Sequence, residues 1–413
     1  MPEHKSYEKL PQTQASLNHI LHHYYNFKKH ATLNDTPKPF FVGLSGCQGS
    51  GKTTLCQTLV HLLSQPPHNL KVVAFSMDDL YLPFAAQQSL SHSNPHNLLL
   101  EFRGQPGTHD ILLGRDTFQT LSSAHAAFYG NRTATHPSVP IPSYDKSLNA
   151  GRGDRLPQTQ WPVVQPPFDI VLFEGWSLGF KPLPASEVDR LRQIKAHLAA
   201  HPIEHLQQLN TNLAEYDREW YSFLDIFIHL APLNLADVHT WRLQQERYMR
   251  RSRGVRGMSD DQVRDFVDRY MPAYELYLPR LERVGFFGPG YMGEERGAYE
   301  GAAERGEHYD ASGRHLKVVI DAERRVVSSQ VTDGDGKWRE YGIRRKAVVK
   351  SWGHARVLNW RLHGEKVWFV GGALAVGIVA WMVLRERGRM HGVIGRIQGV
   401  VVGVKGLWER REW

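Results

Sequence analysis

The chain has 413 residues, 41% of them hydrophobic and 22% charged, values that fit one large or two ordinary globular domains and exclude a low-complexity or fibrous chain. Its two cysteines, Cys47 and Cys56, cannot build a disulfide framework, and the first 38 residues hold no secretory apolar stretch, so a cytoplasmic setting is expected. The net charge of +8 is uneven: residues 331–413 carry 16 Lys and Arg against 7 Asp and Glu, which leaves the preceding part near neutral and without a nucleic-acid footprint.

In chain order, residues 1–37 read as an N-terminal helical extension. Residues 38–284 alternate strand-like and helix-like patterns, which predicts βαβ units on a mainly parallel sheet, a three-layer α/β/α fold. Phe40–Leu44 is a short apolar strand. It runs into Gly46-Cys47-Gln48-Gly49-Ser50-Gly51-Lys52-Thr53, a complete P-loop, and Lys52–Leu63 follows as a helix. Glycines at 46, 49 and 51 let successive backbone N–H groups turn toward one anion, and the helix N-terminus adds its dipole. The loop residues Gly46 to Thr53, with Thr54, are therefore assigned to ATP. Lys52 can bridge the β- and γ-phosphates, and the Thr53 hydroxyl can ligate Mg²⁺.

Lys71–Ser76 reads as a second strand, ending in Met77-Asp78-Asp79-Leu80-Tyr81. Carboxylates at that edge face the ligand crevice of an open α/β sheet. One of Asp78 and Asp79 can take the proton of a substrate hydroxyl while its neighbour supports the metal. The pattern leaves open which does which. Residues 137–167 hold seven prolines and read as a long functional loop. Asp169–Phe173 is a third strand, and Glu174 at its end stands where a Walker B acid is expected, a further Mg²⁺ support.

Asp225–Leu230 is another strand. The segment Trp241–Arg253 carries Arg242, Arg247 and Arg250, which read as a helical lid able to close arginines over phosphates. Ser259 with Gln262 is a capping box opening a helix, whose stripe of Phe266, Tyr270 and Tyr274 reads as core packing. Residues 285–314 are Gly- and Glu-rich and read as a flexible insertion, with 315–326 a candidate last strand of the domain. The basic tail, 331–413, holds seven of the 11 tryptophans. Within it, residues 367–384 form a charge-free run of 18, about 27 Å as a helix, a candidate membrane span.

Taken together, Gly46–Thr53, Met77–Tyr81, Pro142–Asp145 and Phe173–Trp176 resemble the phosphoribulokinase/uridine kinase group of P-loop kinases. More narrowly, three stretches resemble the plant and fungal D-glycerate 3-kinases. These are Leu100–Gly104 with Gly107–Asp110, Lys146-Ser147 with Gly151–Arg155, and Glu174–Trp176 with Leu178–Pro182. The resemblance implies transfer of the ATP γ-phosphate to a small hydroxylated acid such as D-glycerate. It maps the base onto Asp78 and the metal-supporting acid onto Glu174, with Asp78 beside the metal as well. For the acceptor, Arg103, Arg152 and Arg155 are candidate carboxylate donors, with Asp79, Tyr81, His109, Tyr144 and Lys146 nearby. Other acceptors stay open at this point (a nucleoside, pantothenate or a sugar derivative), as does a non-catalytic nucleotide-dependent switch tethered by its tail.

Overall fold

A computed structural model describes residues 7–31, 36–253, 257–288, 312–333, 336–341, 360–362 and 365–367. The chain divides into two units, residues 1–343 and 344–413. In the second, an antiparallel pair is described, Trp360–Leu362 with Glu365–Val367. The expected span 367–384 lies outside the described residues except for Val367. Among the described residues no helix is long and apolar enough to cross a membrane. Most of the expected insertion, residues 289–311, is likewise outside them.

The first unit opens with α1 (Pro11–His30), started by a proline in its first turn and ended by Lys28, Lys29 and His30, residues that suit the two ends of a helix. Strand β1 (Phe40–Gly46) leads through the glycine loop to α2 (Lys52–Ser64) and β2 (Val72–Ser76). Helices α3 (Phe84–Ser93) and α4 (Ile111–Gly130) precede the proline-rich segment. Strand β3 (Ile170–Gly175), α5 (Ala185–Ile194), α6 (Ile203–Glu219) and β4 (Ile226–Pro232) follow. Then come α7 (Asp237–Arg253), α8 (Asp260–Asp268) and α9 (Met271–Val284). The unit closes with β5 (His315–Ile320), β6 (Val326–Thr332) and β7 (Arg339–Glu340).

These strands form one seven-stranded sheet in the order β7-β6-β5-β4-β1-β3-β2. Neighbours from β2 through β5 run parallel, while β6 and β7 are antiparallel. The inner strands β1, β3 and β4 are buried along their whole length, which is why they read as continuous apolar runs. Alternation along β1 builds the layers. Phe40 meets Tyr24 and Phe27 of α1 on one face, and Phe41 meets Phe118 of α4 on the other. The three-layer α/β/α architecture expected from the sequence is thus present. Glycine at 43 leaves room for the Phe227 ring of the neighbouring strand β4, which it faces in register, since a Cβ there would lie 2.7 Å from that ring.

The capping box at Ser259 and Gln262 forms as the spacing predicts, and Tyr270 and Tyr274 are buried. The boundary drawn at residue 331 falls inside β6, which with β7 extends the sheet past the candidate last strand. Trp338 fastens this hairpin: its Nε1–H donates to Arg283 O at 3.0 Å, and Lys317 Nζ sits 3.8 Å from its ring centroid. Strand pairing and the tryptophan are lost together if the chain stops early. A chain ending at residue 330 should therefore melt at least about 4 °C below one ending at residue 343, measured by circular dichroism. Equal melting temperatures would show that the hairpin contributes nothing.

Candidate functional site

Strand β1 stops at Gly46, and the chain turns back on itself before α2 starts. Gly51 precedes α2 with φ 95° and no side-chain cap, so the first N–H groups of α2 stay available to an anion. Gly49 has φ 77°, and a Cβ there would lie 2.7 Å from Trp241; only glycine lets α7 approach the loop this closely. Two further groups brace the turn from outside. Gln48 N–H donates to Tyr274 Oη at 3.1 Å, and Arg324 Nε donates to Gly49 O at 2.7 Å. Cys47 is buried and burial pushes its thiol far up, so it stays neutral.

Glu174 is delivered by sheet register, since β1 and β3 pair Leu44 with Glu174. Its carboxylate accepts from Thr53 Oγ1 at 3.1 Å and lies 3.8 Å from Lys52 Nζ. A hydroxyl and a carboxylate meeting at the start of a phosphate-binding helix are hard oxygen donors of the kind Mg²⁺ takes.

After β2, the chain enters a single 3₁₀ turn, Met77–Leu80. Here the two adjacent acids part company. Asp79 closes a capping box: Ser76 N–H donates to Asp79 Oδ2 at 3.0 Å, and Asp78 N–H donates to Ser76 Oγ at 3.1 Å. Burial pushes the Asp79 carboxyl up to about 6. Asp78 instead faces the cavity and pairs through Oδ2 with Lys146 Nζ. Burial alone would raise Asp78, but Lys146 and then Lys52 outweigh it and hold the carboxyl well below the usual carboxylate range.

All of this opens into one cavity of about 1460 Å³. Gln48 to Thr54 line it, as do Tyr7, Leu10 and Pro11 of the N-terminal segment. Asp78, Glu174 and Tyr81 belong to the same lining, with Lys146, Arg103 and Arg152. Arg103 donates to Gly151 O at 2.9 Å and also to Arg152 O, while Arg152 reaches Glu101 O at 3.4 Å. Thus the Leu100–Gly107 segment and the Gly151–Arg155 segment hold each other.

Other sequence candidates stand behind the wall rather than in it. Arg155 bonds Asp110 Oδ2 and Tyr81 O, each at 3.0 Å. His109 stacks on Tyr81 at 4.3 Å and shares a 2.7 Å hydrogen bond with Tyr216 Oη; burial pushes its imidazole down to about 3, so it is neutral. Tyr144 packs edge-on against Tyr81 at 5.5 Å.

Of the lid arginines, Arg242 lines the cavity, paired with Glu246 at 3.0 Å and lying over the Phe266 ring. Arg247 and Arg250 share a face as their spacing requires, but they turn to Asp260 of α8, at 2.6 and 3.2 Å. Sequence reasoning misses Arg269, Arg324 and the N-terminal segment, all of which line the cavity. No local spacing marks them, because each reaches the site through tertiary packing. Asp79 does carry a signal: Ser76 with an acid three residues on is a capping-box spacing.

No family model matches the sequence. The chain is 40% identical over 252 residues to the chloroplastic D-glycerate 3-kinase of Arabidopsis thaliana, covering 61% of this chain and 50% of that protein. It therefore spans about half the length of the plant enzyme. It is 38% identical over 259 residues to the uncharacterized kinase mug58 of Schizosaccharomyces pombe, covering 61% of this chain and 86% of that one. Among solved structures, a D-glycerate 3-kinase from Cryptococcus neoformans superposes with a TM-score of 0.62 at 30% identity, covering 77% of this chain and 98% of the other.

The capping role of Asp79 is testable by its pH dependence. Asp79→Ala loses the acceptor and should cost about 1 kcal/mol. Asp79→Asn keeps an acceptor oxygen and loses a carboxyl whose folded pKa, about 6, lies above its ordinary 3.8. Such a group disfavours the fold when ionised, and that penalty fades as pH falls from 6 toward 4. Urea unfolding should therefore find the advantage of Asp79→Asn over the parent larger at pH 7.5 than at pH 5. An advantage independent of pH would contradict this environment for Asp79.

Proposed function

This chain belongs to the D-glycerate 3-kinase family of ATP-dependent P-loop kinases, and on that premise we propose that it transfers the ATP γ-phosphate to the 3-hydroxyl of D-glycerate. The observation that carries this reading is a single cavity lined by the phosphate loop and by Lys146, Arg103 and Arg152. Asp78 lines the same cavity. An acceptor bearing its own negative charge needs cations around it when it is brought beside a triphosphate.

In this reading the uncapped start of α2 and the backbone of Gly46 to Thr53 cradle the phosphates, and Lys52 follows the β- and γ-oxygens. Thr53 and Glu174 would hold Mg²⁺, with Asp78 able to support it through water; bound there, the ion neutralises charge on the phosphate oxygens. The acceptor hydroxyl lies against the Asp78 carboxylate. As its oxygen bonds to the γ-phosphorus, the bond from that phosphorus to the β-bridging oxygen breaks. ADP leaves, and the hydroxyl proton passes to Asp78. A carboxylate held this far down is a weak base. It fits a loose phosphoryl-transfer transition state, in which the hydroxyl is oriented first and its proton is lost late. Arg242 on α7 is placed to come over the phosphates and exclude water.

Asp78→Asn keeps the size of the side chain and removes the proton acceptor. We expect kcat with D-glycerate to fall about 10²- to 10⁴-fold and the ATP dissociation constant to change less than about threefold. A coupled ADP-release assay and nucleotide titration check the two. Retained turnover would remove Asp78 from the base role.

A further inference from the structure

Arg269 stands one residue past α8, where the cavity wall meets the Leu100–Gly107 segment. Its backbone is fixed in place: Gln105 Nε2 donates to Arg269 O at 2.5 Å, and a Cβ on Gly104 would lie 2.8 Å from the hydroxyl of the next residue, Tyr270. Tyr270 is buried, and Arg269 lines the same cavity as Asp78, Arg103 and Lys146. Its guanidinium sits 4.5 Å from the Phe102 ring centroid, and Arg152 sits 4.8 Å from the same ring. Phe102 is thus a platform shared by two guanidinium groups, and it lines the cavity itself.

The three cationic neighbours differ in what they already hold. Arg103 and Arg152 spend donors on backbone carbonyls, and Arg242 is paired with Glu246. Among the described residues Arg269 has no carboxylate partner. A planar fork held over a ring, with its donors uncommitted and its backbone anchored, is preorganised for a bidentate anion. Arg269 is exposed, yet solubility alone would call for neither the platform nor the anchor.

We propose that Arg269 is the specificity-determining residue of the acceptor site, its guanidinium taking the carboxylate of a small hydroxy acid while Phe102 sets the plane of the fork. This rests on the reading that the acceptor is an acid and assigns which residue recognises that charge. Lys is no substitute at such a position, because it offers a point charge without the fork.

The experiment measures steady-state kinetics of the full chain with D-glycerate, pantothenate and uridine (two acids and a neutral acceptor), for the parent, Arg269→Met, Arg269→Lys and Arg264→Met. Arg264 is exposed on the same helix and pairs with Asp261, so its variant controls for general loss of surface charge. We expect Arg269→Met to raise the KM for D-glycerate roughly 10- to 100-fold, as the loss of charge-assisted hydrogen bonds does, with kcat within about threefold and the KM for ATP unchanged. Arg269→Lys should recover only part of the loss, and Arg264→Met should match the parent. If the parent uses D-glycerate and Arg269→Met leaves its KM unchanged, the role of Arg269 is overturned while the acceptor reading stands. If the parent uses pantothenate instead, and Arg269→Met raises that KM, the specific acceptor falls and the role of Arg269 stands. A parent that turns over uridine alone overturns both.

Discussion

The parallel register between β1 and β3 sets Leu44 opposite Glu174 and Ser45 opposite Gly175, and the other parts of the site are placed relative to that pairing. β2 joins the same register, with Ser76 opposite Glu174. The phosphate loop, Glu174 and the Asp78 turn therefore leave three adjacent strands at one level. A slip of one residue would send Glu174 to the opposite face of the sheet. The register is held by side chains that fill the space tightly. A Cβ on Gly175 would lie 2.3 Å from Met77 Sδ, so the Met77 side chain locks the β2 turn against the end of β3.

On that frame the cavity is lined both by backbone and by charged side chains. The phosphate loop offers N–H groups and a helix terminus beside Lys52, and Arg324 braces it through Gly49 O. Lys146, Arg103, Arg152 and Arg269 line the same cavity. Asp78 lies against this positive group, paired with Lys146, which keeps it ionised despite its burial. The same field would suit an acceptor that brings a negative charge, as proposed above. Behind Tyr81, the buried His109 and Tyr144 pack against its ring.

Much of this is legible in the order of the amino acids. The three-layer fold follows from β-branched runs alternating with helical patterns, and the phosphate loop from its spacing between a strand and a helix. Four features are not fully legible there, each for a physical reason. Asp78 and Asp79 are adjacent and chemically alike; the Ser76 spacing marks Asp79 as a cap, and the folded turn shows Asp78 lining the cavity. Arg155 and Arg152 look equivalent in sequence, yet Arg155 is drawn to Asp110 behind the wall while Arg152 lies over Phe102. Arg269 and Arg324 reach the site from distant segments, and no periodicity encodes that. The β6–β7 hairpin escapes notice because β7 is only two residues long and β6 carries Ser328, Ser329, Gln330 and Thr332, so the pair resembles linker.

The account turns on what receives the phosphate, and the product itself answers that most directly. The purified full chain, incubated with ATP, Mg²⁺ and D-glycerate, should yield 3-phosphoglycerate in step with ADP, identified by phosphorus NMR and mass spectrometry. ATP binding without any phosphorylated glycerate, or phosphate found on the 2-hydroxyl, would contradict it.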